Sequence, residues 1–479
     1  MKNLRKALLS MVLILVAAIS VFAGCEIKLA GGPNAQDAVT SNGGMVVQKG
    51  DYLYFTNGYI SATGANNKYG EVEHSAVYRA KLENNKLSYD EEGNLKDVEL
   101  LVPRITGYEK TGLFIYGEHL YYATPNTEKN KKDGEVDTKL IDFYRVNLNG
   151  KNNTRLYKST VSSENTQFSF NEINGKVFLT VFDTEKVVVI NCGNKSAKVI
   201  AEGVSSAVLP KVTENNPLNN TISEIESRVY YTRSAKEDEN NTGNVMAYAS
   251  IESGEEVVVN GLNPSATYSL KELNYNGAEN TYVLYTSNES GLELYYCAKF
   301  VNNEINMQSQ EKLTTKAQTN KVYLFTDPTT NNAHNGVVTT NANGVLIVIT
   351  LESEYKEEVV AYNELGKITI LDVNGINVFC YNSDNQLFVV NLKDLSKTAT
   401  QLTTKDETYD FSMNVNFDVN GEYVYLFKTF EGDAEEGETA EKGAYLIRIK
   451  YMQTEDYADE FLGDMLEKHI KTEEAESEE

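Results

Sequence analysis

The side chains that could do chemistry are few and scattered. Histidine occurs only at His74, His119, His334 and His469, and no two of them form the H-E-x-x-H spacing that lets one helix face hold zinc. No G-x-S-x-G elbow presents a serine nucleophile; "GVSSA" at Gly203–Ala207 comes nearest and lacks the final glycine. Oxygen ligands at alternate positions occur at Asp133, Glu135 and Asp137, with Asp142 beyond them. That spacing suits Ca²⁺, but the glycine turn and the closing bidentate glutamate of a calcium loop are missing. A solvated loop is the expectation there, and the same holds for the cluster Glu237, Asp238, Glu239. No metal and no cofactor is expected.

The cysteines divide into two kinds. Cys192, Cys297 and Cys380 each end or adjoin an apolar run and form no C-x-x-C pair, so buried, inert thiols are expected. Cys25 is different. It follows "MKNLRKALLSMVLILVAAISVFAG", in which Lys2, Arg5 and Lys6 precede a short apolar run and then small residues, the order of a secretory signal. Ala23-Gly24-Cys25 resembles the lipobox of bacterial lipoproteins, with Phe22 where that family prefers Leu or Val. The resemblance implies removal of residues 1–24 and diacylglycerol on the Cys25 thiol, an anchor to the outer face of the cytoplasmic membrane. Two or more acyl chains hold stably where one does not. Residues 25–44, rich in Gly, Asn, Ser and Ala, read as a flexible tether.

Charge narrows the partners. The net charge is −25, and 14 of those charges sit in Thr454–Glu479 and Glu431–Gly443. No basic stripe exists to neutralise phosphates, so nucleic acid is not an expected partner.

Any site must be positioned by the elements of residues 45–452, where one phrase keeps returning. "GDYLYFTN" at Gly50–Asn57 is echoed by "GEHLYYAT" at Gly117–Thr124 and "GKVFLTVF" at Gly175–Phe182. Eight such phrases are followed by a turn-rich gap and a second strand, mostly 45–67 residues apart, with further short strands between them. The phrases are apolar on consecutive positions. A sandwich strand with one wet face should alternate instead. Each phrase is therefore expected to be a middle strand with protein on both faces. That condition is met in an all-β propeller of antiparallel four-stranded blades, eight of them or, alternatively, seven. Paired tyrosines such as Tyr121-Tyr122 and Tyr230-Tyr231 should send one ring to each adjoining blade. Met45–Gln48, or a strand just before it, is expected to close the ring against the last blade. Residues 453–472 read as an amphipathic helix, with Tyr457, Phe461, Leu462, Met465, Leu466 and Ile470 near one face. Residues 473–479 read as an acidic, disordered tail.

"GDYLYFTNG" and "FYRVNLNGKNNTRLY" (Phe143–Tyr157) resemble the repeats of propeller lipoproteins from low-GC Gram-positive bacteria. Most of those proteins have no assigned activity, so the resemblance implies architecture and location only. With Trp 0, the Trp motifs of quinone-dependent propellers and the Asp-box of sialidases are absent. The expected role is a non-catalytic, monomeric binding or scaffold module for a protein or an envelope polysaccharide. The alternative is a glycan-binding or glycan-active propeller with paired carboxylates in its funnel. Tyr59, Tyr69, Tyr108 and Tyr409 are the rings expected near loops, where a sugar could stack.

Overall fold

The computed structural model describes the chain between residues 31 and 461, except for connecting stretches. The longest of these are 61–75, 127–139, 211–226, 314–322, 326–335, 432–441 and 452–459. The signal segment, Cys25, Tyr69, Tyr108, Asp133, Glu135 and Asp137 lie outside the described residues.

Among the described residues every regular element is a strand, and the strands fall into eight antiparallel sheets taken up in chain order. The third is the plainest. Thr166–Ile173, Lys176–Asp183, Lys186–Asn191 and Ala197–Glu202 each pair with the next. Asn174 and Gly175 join the first two, both at positive φ (50° and 71°), a two-residue turn whose twist matches the strands it joins.

The recurring phrase is the second strand in six sheets and, once the edge strand Val39–Thr40 is set aside, in the first as well. In the sixth it is the third: Leu346–Thr350 lies between Gly336–Thr340 and Lys356–Val360. The strand before it, "GVVTT", carries only two aliphatic residues, too weak a pattern to read as a core strand. Gly336 is required there by packing, since an added Cβ would meet the Phe325 ring and lie 2.6 Å from the Ile349 carbonyl oxygen.

The phrases are buried along nearly their whole length, as in His119–Pro125, Lys176–Asp183 and Arg228–Ser234. Fourth strands such as Ala197–Glu202 are largely exposed. Where both faces are described, alternate residues of a middle strand enter different cores. Tyr122 packs between the first and second sheets, and Tyr121 between the second and third. Tyr231 packs between the third and fourth, and Tyr230 between the fourth and fifth. Further cores join the sixth to the seventh sheet and the seventh to the eighth. Leu53, Phe55 and Tyr78 of the first sheet share a core with Tyr425, Phe427 and Leu446 of the eighth. The described cores thus link the sheets in the order six, seven, eight, one, two, three, four, five. Between the fifth and sixth sheets most side chains lie outside the described residues.

Closure differs from the expectation. Val46–Lys49 pairs with Tyr52–Thr56 inside the first sheet and does not reach the last. Instead Tyr59–Ile60, from the connection after the first phrase, pairs with Gly443–Ala444 of the eighth sheet. Glu460–Phe461 pairs further along the same strand, at Ile447 and Arg448. These two residues are strand where a helix over 453–472 was expected, because the edge of Lys442–Lys450 offers them backbone partners. The rest of that segment lies outside the described residues.

The tether also ends earlier than expected. Val39–Thr40 is an edge strand on Val46–Lys49. Asn42 exchanges hydrogen bonds with the Ile115 backbone at 2.7 and 3.0 Å, and Gly43 N–H donates to Leu113 O at 2.7 Å. Residues 31–40 and 42–44 therefore belong to the body.

Phe379 tests the shared cores. It is fully buried between the seventh and eighth sheets, edge-on to Tyr451 at 5.1 Å. Phe379→Ala should lower the unfolding free energy by about 3–5 kcal/mol in denaturant titrations. A change near zero would mean that this core does not form.

Candidate functional site

The most distinctive polar construction lies where the chain enters the body, at the seam of the first two sheets. Its centre is Arg79, in the third strand Val77–Lys81, directly across from Tyr54. The side chain is fully buried. A guanidinium held out of water needs all its donors used. Nε and Nη2 donate to Glu99 Oε2 at 2.7 and 2.6 Å. Nη1 donates to two carbonyls, Gly31 O and Leu148 O, each at 3.2 Å. The cation also stands 5.1 Å from the Tyr52 ring centre. One side chain thus joins the N-terminal segment, the first sheet and the second.

Its position recurs. Arg145 sits across from Tyr121 in the second sheet and donates to Cys192 O at 3.1 Å. Leu148 and Cys192 hold the same place, one residue past the third strand of the next sheet. Arg448 sits across from Tyr425 in the eighth sheet, buried, 4.2 Å from the Tyr423 ring centre as Arg79 is stacked on Tyr52.

Lys49 completes the seam. It is 1% exposed and its Nζ donates to Ala35 O and Asp37 O at 3.2 and 3.1 Å. Burial lowers its pKa, opposed by Asp37, Glu118 and Glu172. Beside it is a pocket of about 150 Å³, lined by Gly31–Pro33, Lys49, the turn Gly117–Glu118, and Asn147–Asn149. These contacts fasten the incoming chain to the ring. Nothing in them activates a nucleophile, because the ammonium is spent on backbone carbonyls.

A second cluster sits at the seam of the third and fourth sheets. Arg233 is bidentate to Glu239, at 2.9 and 2.8 Å, and to Glu256, at 3.0 and 2.7 Å. Tyr231 Oη and Lys236 Nζ also donate to Glu256, at 2.6 and 2.7 Å. The arginine's hydrogen bonds hold the Glu239 carboxyl down at about 2. For Glu256, burial pushes its pKa up, but bonds from Arg233, Lys236 and Tyr231 win and hold it at about 2. A glycosidase pair needs one carboxyl kept protonated near neutral pH. Both of these stay ionised, so this pair is a clasp. Of the acidic cluster read from the sequence, Glu239 is the member that serves it.

The other expected residues are placed as follows. Cys192 and Cys380 are buried, and burial pushes each thiol up to about 12, as inert thiols require. Tyr409 corrects its expectation. It is buried in the core of the seventh and eighth sheets, 6.0 Å from Phe411, and offers no face to a sugar. Its two-residue strand starts a sheet, so the backbone pairing draws the ring inward. Tyr59 lies in the closing strand. Asp142 is buried and paired with Arg155 at 3.4 Å. His119 is half-buried beside Tyr121, and burial followed by the Arg145 charge lowers its pKa. Among the described residues no three His, Cys, Asp or Glu side chains gather as a metal would need. Lys49 and Arg79 were missed. Their signal was a lone cation inside an apolar strand, "VVQK" and "VYRAK", with the arginine repeated in "FYRVN" and "LIRIK".

No family model and no curated protein matches this chain. Among solved structures it is similar to dipeptidyl peptidase 4 of Porphyromonas gingivalis, at 10% identity and a TM-score of 0.47, covering 94% of this chain and 62% of that one. A puromycin-hydrolyzing peptidase of Mycobacterium tuberculosis gives 10% identity and a TM-score of 0.38, covering 86% and 63%. The dihydro-heme d1 dehydrogenase NirN gives 9% and 0.48, covering 91% and 75%. The chain thus spans less than two thirds of either peptidase, and no activity is carried over from any of the three.

The Arg233 clasp has a pH signature. Both carboxyl pKa values are depressed in the folded chain, so their contribution to stability is complete above the ordinary value of 4.5 and is lost as pH falls towards 2. Thermal unfolding should therefore show the widest gap between wild type and Arg233→Met above pH 4.5. The gap should close towards pH 2. A gap that is constant across this window would contradict the clasp.

Proposed function

We propose that this chain is a membrane-anchored, extracytoplasmic lipoprotein whose body is an eight-bladed β-propeller. It acts as a non-catalytic binding or scaffold module for a protein or cell-envelope partner. Eight consecutive sheets, the last packed against the first, support the blade count. The observation that carries the role is the order of parts along the chain. The lipobox-like Ala23-Gly24-Cys25 follows an apolar run and precedes a segment stapled to the body by Lys49, Arg79 and Asn42.

Physically this is a tethering design. Acyl chains supply membrane affinity in proportion to the CH₂ groups they bury. A closed ring with a continuous interior supplies a rigid platform, and rigid platforms are what position binding surfaces.

Cells expressing the full chain and fed a labelled fatty acid should incorporate label into the protein and carry it in the membrane fraction. Cys25→Ala should abolish both. Label retained by the variant would overturn the anchor.

A further inference from the structure

We infer that the anchored protein stands with one particular end of its ring against the lipid surface: the end bearing the turns Gly117–Glu118, Asn147–Asn149 and Gly193–Asn194. This rests on the proposed acylation of Cys25, and it goes further by fixing which surface faces the bilayer.

The two ends follow from strand order. In a four-stranded antiparallel sheet the first-to-second and third-to-fourth turns share one end. The second-to-third turn and the link to the next sheet share the other. Contacts between sheets keep those ends aligned around the ring. On the first end, Asn174 donates to Glu252 Oε2 at 2.7 Å and Lys198 to Ser253 O at 2.7 Å, joining third and fourth sheets turn to turn. On the opposite end, Asn385 donates to Tyr409 O at 3.1 Å, and Tyr59–Ile60 pairs with Gly443–Ala444.

The chain enters at the first end. Gly31–Pro33 line one pocket with Gly117, Glu118 and Asn147–Asn149, and Gly31 O is held by Arg79 Nη1 together with Leu148 O. Cys25 lies six residues before Gly31. At 3.3–3.6 Å per residue, even a fully extended link of that length reaches only about 20 Å. The early docking of the expected tether is what makes the link this short. A strand such as Lys176–Asp183, 8 residues long, rises about 25 Å at ~3.3 Å per residue. The far end therefore stands more than the link's whole reach beyond the near end. A ring turned over would need its N-terminal segment pulled off Lys49 and Arg79. No basic patch is required: the near-end turns mix Asn, Gly, Lys and Glu, so attachment geometry sets the orientation.

The test uses the full, acylated chain in phosphatidylcholine–phosphatidylglycerol vesicles containing a nitroxide-headgroup lipid. A fluorophore is placed at Glu118→Cys or Asn194→Cys on the near end, and at Glu185→Cys or Ser383→Cys on the far end. All four positions are exposed turns, and the chain without an added cysteine gives the background. Near-end labels should lose emission when the nitroxide lipid is included, and far-end labels should not. Flotation of the same samples reports anchoring, with Cys25→Ala as the unanchored control. Protein that floats yet is quenched equally at both ends, or more at the far end, overturns the inference alone. Protein that does not float overturns the anchor and the inference with it.

Discussion

A sheet that is apolar on both faces cannot stop at a free edge of the molecule. The sheets with both faces described have that character, because neighbouring residues of their middle strands enter different cores, as Tyr121 and Tyr122 do. A row of such sheets would leave two greasy faces in water, one on the first sheet and one on the last. Each buried large side chain contributes roughly 1.5–3 kcal/mol, so exposing either face would forfeit several such contributions. Bringing Leu53 and Phe55 against Tyr425 and Phe427 removes both faces at once. The contact of first sheet with last follows from that constraint, as does the shared edge of the eighth sheet, where Tyr59–Ile60 and Glu460–Phe461 pair along one strand.

The same constraint explains the charges. Between two sheets a cation has no water, so it must find carbonyls or carboxylates in the neighbouring layer. Arg79 and Arg145 do this in one register, each reaching the carbonyl just past the third strand of the next sheet. Such a bond fixes how far one sheet slides on the next, which apolar packing alone leaves loose. At the first seam the arginine and Lys49 capture the entering chain as well, so the interior latch between two sheets also determines where the N-terminus leaves the ring. A packing requirement thereby sets the end of the body at which Gly31 is held.

Much of this was legible in the residues. Consecutive apolar positions in "YLYF" and "VFLTVF" marked strands without a wet side, and paired tyrosines marked their two directions. The illegible parts had weak local signals. "GVVTT" has too few aliphatic residues to mark a core strand. Residues 31–44 look like linker by composition, and only long-range partners such as Ile115 and Arg79 order them. Glu460–Phe461 follows a helical pattern that an open strand edge overrides. Tyr409 looked like a loop ring until its backbone paired with Lys428. At the entry seam, the cations that fasten the segment after residue 30 were not readable, because a lone Lys or Arg in a strand gives no sign of which carbonyls it meets.

Ring closure is the claim on which the rest depends, and a disulfide tests it most directly. Ile60 and Gly443 are Cα partners in the antiparallel pair that joins first sheet to last. Such partners lie about 4.5–5.5 Å apart, within the range a disulfide bridges. In a Cys25→Ala background, mild oxidation of Ile60→Cys with Gly443→Cys should give an intramolecular bond, read as faster migration on a non-reducing gel. A folded double variant whose two thiols stay reduced would contradict the closed ring.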